Sequence, residues 1–294
     1  MDAHIIALVL GAALLHAAWN AMIKTAGDAL LRLALINLTG GLVALPLLLI
    51  APAPPAAALP WLAASVLAHH AYYLLLVGAY RHGDLSLVYP IARGSAPLLV
   101  ASGGWLLAGE ALSPVGLLAI AIICAAILSL ATARTPTGAE LGHSSRRGTW
   151  LALGTGASIA AYTVFDGLGV RASAPQSGPS TLHALGYIGW LLALDALPMA
   201  VLAAARRGRA LGAALVAGWR GGLVGGALSA AAYGAVIWAM GSQPMALVSA
   251  LRETSVIIAA AIGVFLLKEP LGARRLLAAA TVVCGVILLQ LDNQ

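Results

Sequence analysis

Charge is what this sequence has least of. Only 9% of its 294 residues are Asp, Glu, Lys or Arg, against about 25% in a soluble domain, and 61% are hydrophobic. A soluble globule of this size could not hide so much apolar surface, so an all-α polytopic membrane protein is expected. Acids are scarcer than bases, and the net charge is +6. Nucleic-acid binding would need a clustered basic face with stacking partners, which is missing; short loops beside anionic lipid account for the excess. Cysteine is nearly absent. Cys124 and Cys284 stand 160 residues apart in apolar segments, a spacing that reports duplication, not a disulfide or a metal site. No basic region precedes the first apolar run, so that run is expected to stay as a spanning helix, not leave as a signal peptide. Catalytic triads, zinc spacings and nucleotide fingerprints are missing too, and no enzyme, cofactor or metal is expected.

What fills the chain is apolar runs of about 20 residues, the length needed to cross the hydrocarbon. Ten are expected: 4–24, 30–51, 59–80, 84–110, 114–133, 149–170, 181–204, 221–241, 244–267 and 271–291. They form two copies. Leu87-Val88 recurs as Leu247-Val248, and Tyr73 as Tyr233, both at a shift of 160. Leu42 to Pro46 matches Leu194 to Pro198 at 152, and Ala17-Ala18-Trp19 matches Ala160-Ala161-Tyr162 at 143. Residues 1–134 and 149–294 are therefore read as five-helix repeats, joined by a polar linker over 135–148. An odd helix number inverts the second copy, and inverted repeats with a site near the midplane are a common transporter construction. Loop charges agree. Thirteen of the sixteen Lys and Arg fall in loops after the first, third, fifth, seventh and ninth helices; Arg171 lies opposite, and Arg93 and Arg252 are intramembrane. The positive-inside rule makes the rich side cytoplasmic and places both termini outside.

The fourth run, Asp84 to Glu110, carries Arg93 among apolar residues, with Pro90 and Pro97 inside it. A charge at membrane depth costs about 2.5–3.5 kcal/mol on insertion scales, so it needs a partner or a wet cavity. Arg93, with Tyr89 beside it, could bind a carboxylate or phosphate bidentately; the plainer alternative is an ion pair with Glu253 or Asp166. Arg252 and Glu253 lie at matching depth in the ninth run, as a gating or coupling pair or as mutual neutralisation for insertion, with Ser249 one turn before. His16, Asn20 and Lys24 form a polar stripe with Trp19 at its side. They either line a pathway or tie helices together, a tie being worth about 0.6 kcal/mol in membranes; Lys24 is expected to snorkel. His69 and His70 face different ways. His69 is a candidate proton carrier, and Tyr73 is a candidate cavity residue because Tyr233 repeats it. Ser158, Tyr162 and Asp166 form a further stripe, with Asp166 a candidate proton or cation site and Asp195 a weaker one. Gly221/Gly225 and Gly222/Gly226 are expected to mark close helix packing.

Three stretches carry a resemblance: HAAWNAMIK (16–24), YRHGDLSLVYPIARGSAPLLVASGGWLLAGE (80–110) and SQPMALVSALRETSVIIAAAIGVFLLKEPLG (242–272). With Glu110 and Glu269 closing the fourth helix of each copy, the chain resembles the EamA-type branch of the drug/metabolite transporter superfamily. The resemblance implies ten helices in an inverted repeat around a central cavity, with small polar metabolites as cargo, usually exported. It also implies cytoplasmic termini, which the charge bias reverses.

The expectation is thus a secondary transporter of the bacterial-type inner membrane, exporting an amino acid or other carboxylate-bearing solute by alternating access. Its substrate site would comprise Arg93, Tyr89, His16, Asn20, Trp19, Tyr73, Tyr162, Tyr233 and Ser249, with coupling or gating by Arg252, Glu253, Asp166 and His69. Partners would be the solute and membrane lipids, with protons as an optional coupling ion, and either a monomer or a homodimer. The alternatives are a proton-coupled exporter of cationic drugs, using Glu253 or Asp166, and a lipid-headgroup carrier or flippase. A non-transporting scaffold would lack a polar interior.

Overall fold

In the computed structural model, which describes residues 2–24, 28–83, 85–132, 145–265 and 273–291, every regular element is helical. These are α1 (Ala3–Lys24), α2 (Ala29–Ile50), α3 (Leu59–His82), α4 (Leu85–Ala108), α5 (Pro114–Ser129), α6 (Arg146–Ala172), α7 (Thr181–Arg207), α8 (Arg209–Met240), α9 (Met245–Arg252), α10 (Ser255–Phe265) and α11 (Ala273–Leu291). Six of them, α1, α2, α3, α6, α7 and α8, are long and apolar enough to cross a membrane, and α5 and α11 supply shorter apolar helices. Glu269 and the side chain of Lys24 lie outside the described residues.

Helix ends follow local chemistry. Asp28 caps α2, its Oδ1 accepting from the N–H groups of Leu30 and Leu31. Ser113 caps α5, accepting from Gly116 N–H at 2.8 Å ahead of Pro114 in the first turn. Such caps satisfy donors that a helix start leaves orphaned. Gly208, at φ +52°, turns α7 directly into α8, so α8 begins twelve residues before the expected 221. Pro90 and Pro97 sit inside α4 without ending it. Each removes a backbone donor, and Pro97 thereby frees the carbonyl of Arg93.

The ninth run differs from expectation. Instead of one helix over 244–267, α9 stops at Arg252 and α10 starts at Ser255. Across the junction the bonds shorten to i→i+3: Thr254 N–H donates to Leu251 O at 3.1 Å and Val256 N–H to Glu253 O at 3.0 Å. Thr254 Oγ1 also donates to Leu251 O at 2.7 Å, competing with the backbone for that acceptor. Tight turns within a helix mark hinges or strain.

The chain forms two compact units: one of residues 1–6, 67–165 and 243–294, the other of 7–66 and 166–242. Helices α1, α3 and α6 each run from one unit into the other. In the first unit α4 packs on α5 and α9, and α5 on α11; in the second α2 packs on α7 and α8. The α2–α8 contact is made by the expected glycines. A Cβ on Gly222 would lie 2.4 Å from Leu35 Cγ, and one on Gly226 would lie 2.5 Å from the Gly40 backbone nitrogen. Thr39 Oγ1 donates to Gly222 O at 2.6 Å across this seam, a bond that only backbones in near contact permit.

Helix ends are tied together within each unit. In the second unit Asp28, before α2, pairs with Arg207, at the end of α7, at 2.8 Å. In the first, Ser145 N–H donates to His82 O at 3.0 Å, joining the ends of α3 and the start of α6. Also in the first unit, Met245 N–H donates to the Glu110 carboxylate at 2.9 Å, which caps α9.

Candidate functional site

The first unit holds the arginines. Glu253, at the α9–α10 break, is reached from both flanks: Arg93 Nε of α4 stands 2.8 Å from its Oε2, and Nη2 of Arg252 stands 3.6 Å from its Oε1. Arg93 Nη2 also donates to Ser255 Oγ at 3.2 Å. Arg93 and Arg252 are 4% and 3% exposed, and Glu253 is fully buried. The Arg93 ion pair is thus formed, with Glu253 as its partner. The charges are close but poorly aligned. Among the described residues, Arg93 Nε, Arg252 Nε and Nη2 and both Glu253 oxygens lack a hydrogen bond of good geometry, as does Ser249 Oγ.

Two guanidiniums thus share one carboxylate in a place closed to solvent. Ser249, Arg252 and Glu253 fall at i, i+3 and i+4 and so share one face of the chain. The α9–α10 break is what lets α10 begin with Ser255 under the Arg93 guanidinium. Buried charges require both pairing and full hydrogen bonding to offset their desolvation, and among the described residues one positive charge and several donors are left over here.

An aromatic group adjoins on α3 and α6. His69 stacks on Tyr162 with ring centroids 3.9 Å apart and planes 17° apart. Tyr72 meets Tyr162 edge-on at 5.9 Å and Tyr73 at 5.1 Å. Tyr72 and Tyr89 lie within electrostatic range of both Arg93 and Arg252. Tyr73, Tyr162 and His69 are buried and Tyr72, half-buried, packs with them, a contact that its position beside Tyr73 did not single out. Ser255 carries no local signal at all, standing 162 residues beyond Arg93.

The second unit holds a different constellation. Asp166 of α6, fully buried, accepts from Tyr187 OH of α7 through Oδ1 at 3.0 Å and from Tyr233 OH of α8 through Oδ2. Gly169, one turn on, makes room: a Cβ there would lie 2.4 Å from the Tyr187 ring. Tyr233 is therefore a partner of a carboxylate. On α1, His16 and Trp19 meet edge-on at 5.0 Å, while Asn20 Nδ2 donates to His16 O at 2.9 Å. Asn20 thus spends a donor on its own helix. Trp19 Nε1 is buried without a hydrogen-bond partner among the described residues.

Comparison with known proteins places this architecture. Residues 146–291 match the EamA-like transporter family. A solved structure, titled only as the crystal structure of a protein, superposes with a TM-score of 0.72 at 17% identity, covering 99% of this chain and 98% of its own; at that identity it speaks for the fold alone. No functionally curated protein matches the sequence. Apolar helices of spanning length, buried charges inside them and the family match converge: the chain is a multi-pass membrane protein and belongs to the EamA-like transporter family of the drug/metabolite transporter superfamily, a transporter of small molecules rather than an enzyme.

Proposed function

We propose that the protein exports a small carboxylate-bearing metabolite, such as an amino acid, by alternating access. The single observation that carries this reading is the unbalanced cluster at the α9–α10 break. Among the described residues, Arg93 and Arg252 face one carboxylate, and Arg252 Nε and Nη2 and Ser249 Oγ are left without hydrogen bonds. An incoming carboxylate would supply the missing negative charge and accept from those donors, in the charge-assisted geometry that arginine favours. Broken helices at anion sites are a recurrent transporter device, because the start of the second half-helix presents its positive dipole end. The near-complete burial of both arginines fits an occluded state of the cycle. In this reading the two five-helix repeats, 1–134 and 149–294, are inverted copies that make ten spans. The loops rich in Lys and Arg face the cytoplasm of a bacterial-type inner membrane. Tyr72, Tyr73, Tyr89 and Tyr162 shape the apolar part of the solute's surroundings.

Uptake of labelled solutes into proteoliposomes tests the reading, with Arg93→Ala and Glu253→Gln compared with the parent protein. Loss of anion transport in Arg93→Ala supports it. Intact anion transport in Arg93→Ala, together with cation transport that Glu253→Gln abolishes, would establish a cation exporter instead. That second reading draws on the buried Asp166 carboxylate.

A further inference from the structure

The second unit contains a polar seam that the arginine cluster does not use. Between α2, α7 and α8 lies a cavity of about 20 Å³, whose lining includes Asn37, Gly40, Asp195 and Ser229. A cavity of roughly 10–15 Å³ already holds one water, provided that two to four polar partners surround it. Asn37, Asp195 and Ser229 are three such partners, and Asn37 Nδ2 and Asp195 Oδ1 are both shut from solvent. The cavity also lies in line with the Asp166 group. Tyr187 and Asp195 are eight residues apart on α7, two turns along one stripe and about 12 Å apart. Ser229 and Tyr233 are one turn apart on α8 and run the same way. One seam therefore carries two carboxylates at two depths: Asp166, held by two tyrosine hydroxyls, and Asp195, beside a water-sized space.

We propose that this seam is a proton path in which Asp195 and Asp166 are the carriers, so that solute export is driven by protons moving inward. The inference rests on the transporter reading above. A proton arriving from one side converts the Asp166 carboxylate to the acid. It then passes along the α7–α8 seam as the protein changes state, to the Asp195 carboxylate and the water beside it, and leaves to the other side as hydronium. No group is consumed. Intramembrane carboxylates face this use because ionised and neutral forms differ so much in desolvation. Titratable and charged groups among the described residues face the path from several helices. Tyr187 of α7 and Tyr233 of α8 contact Asp166. Arg32 of α2 lies beside Gly221 toward one end, where the Asp28–Arg207 pair closes the loops. Arg171 of α6 lies near the other end, donating to Met240 O at 2.9 Å.

The test uses the full chain in proteoliposomes with the membrane potential clamped at zero and alanine, glutamate and malate as labelled probes. Solute-for-solute counterflow, measured without a gradient, first shows whether the transporter reading holds. With the lumen one pH unit more acidic, one-for-one proton exchange supports about tenfold accumulation. Asp195→Asn is expected to lose most of that accumulation while keeping counterflow within about twofold, since exchange moves no net proton. A luminal pH dye should report proton exit upon solute addition in the parent protein, independently of how any variant folds. Counterflow in the parent protein without accumulation or proton movement would overturn the proton path alone, as would Asp195→Asn that accumulates like the parent. Absence of counterflow for every probe would overturn the carboxylate reading instead.

Discussion

Arg93 Nε stands 2.8 Å from Glu253 Oε2, with the two side chains 5% and 0% exposed. The pair joins α4 to the break between α9 and α10, and Arg252 adds a second positive charge 3.6 Å from the same carboxylate. That three-body arrangement makes an unequal prediction for its members. Removing Glu253 leaves two guanidiniums facing each other, whereas removing either arginine leaves a one-to-one pair. Glu253→Gln is therefore expected to cost about 3–5 kcal/mol, the range for an uncompensated buried charge, and Arg252→Met distinctly less. Thermal unfolding in detergent ranks the two, and the reverse order would deny that the cluster carries surplus positive charge.

Helix α9 depends on a carboxylate outside it. Glu110 accepts Met245 N–H through both oxygens, at 3.2 and 2.9 Å, and so serves as its cap. Glu110→Ala should lower stability by about 1 kcal/mol, within the span seen for lost caps. Hydrogen exchange should quicken at the first amides of α9 and not in α2. Unchanged protection there would remove Glu110 from this role.

The α2–α8 seam should tolerate no added carbon. A Cβ on Gly226 would meet Thr39 Oγ1 at 2.3 Å and the Gly40 nitrogen at 2.5 Å, and backbone atoms cannot swing aside. Gly226→Ala should cost about 1–3 kcal/mol, the usual range for overpacking. Gly11→Ala, where nothing lies within 4 Å, should be neutral. Equal melting temperatures for the two variants would contradict the packing.

The Asp28–Arg207 pair at the loop ends gives a pH-dependent contribution of known sign. The hydrogen bond from Arg207 holds the Asp28 carboxyl below its ordinary value of 3.8. The folded state then binds fewer protons than the unfolded one. The stabilisation is present above that ordinary value and is lost as pH falls through the lower folded one. With both side chains a third or more exposed, it stays within about 1 kcal/mol. Asp28→Asn should lower the melting temperature slightly at neutral pH, and the difference should close in acid and in high salt.

Much of this was legible because the membrane makes polar residues conspicuous. Arg93, Arg252, Glu253 and Asp166 stand out in apolar runs, and with so few charges available the Arg93–Glu253 partnership was already one of two options. The paired glycines at 221–226 likewise announced backbone contact. The α9–α10 break was not legible, since Arg252-Glu253-Thr254-Ser255 contains no Gly or Pro, and it is tied to hydrogen bonds of Thr254 that form only locally. Nor was the Asn37–Asp195–Ser229 space, which joins three helices whose register the sequence does not state. The bond of Tyr187 to Asp166 required knowing how α6 faces α7.

The most direct measurement compares transport of a carboxylate solute with that of its carboxamide isostere, in the parent protein and in Arg252→Gln. A surplus guanidinium rewards the negative charge, so the parent should carry the acid and discriminate strongly against the amide, and Arg252→Gln should lose most of that discrimination. Equal transport of acid and amide by the parent, or unaltered preference in Arg252→Gln, would contradict an anion site at the α9–α10 break.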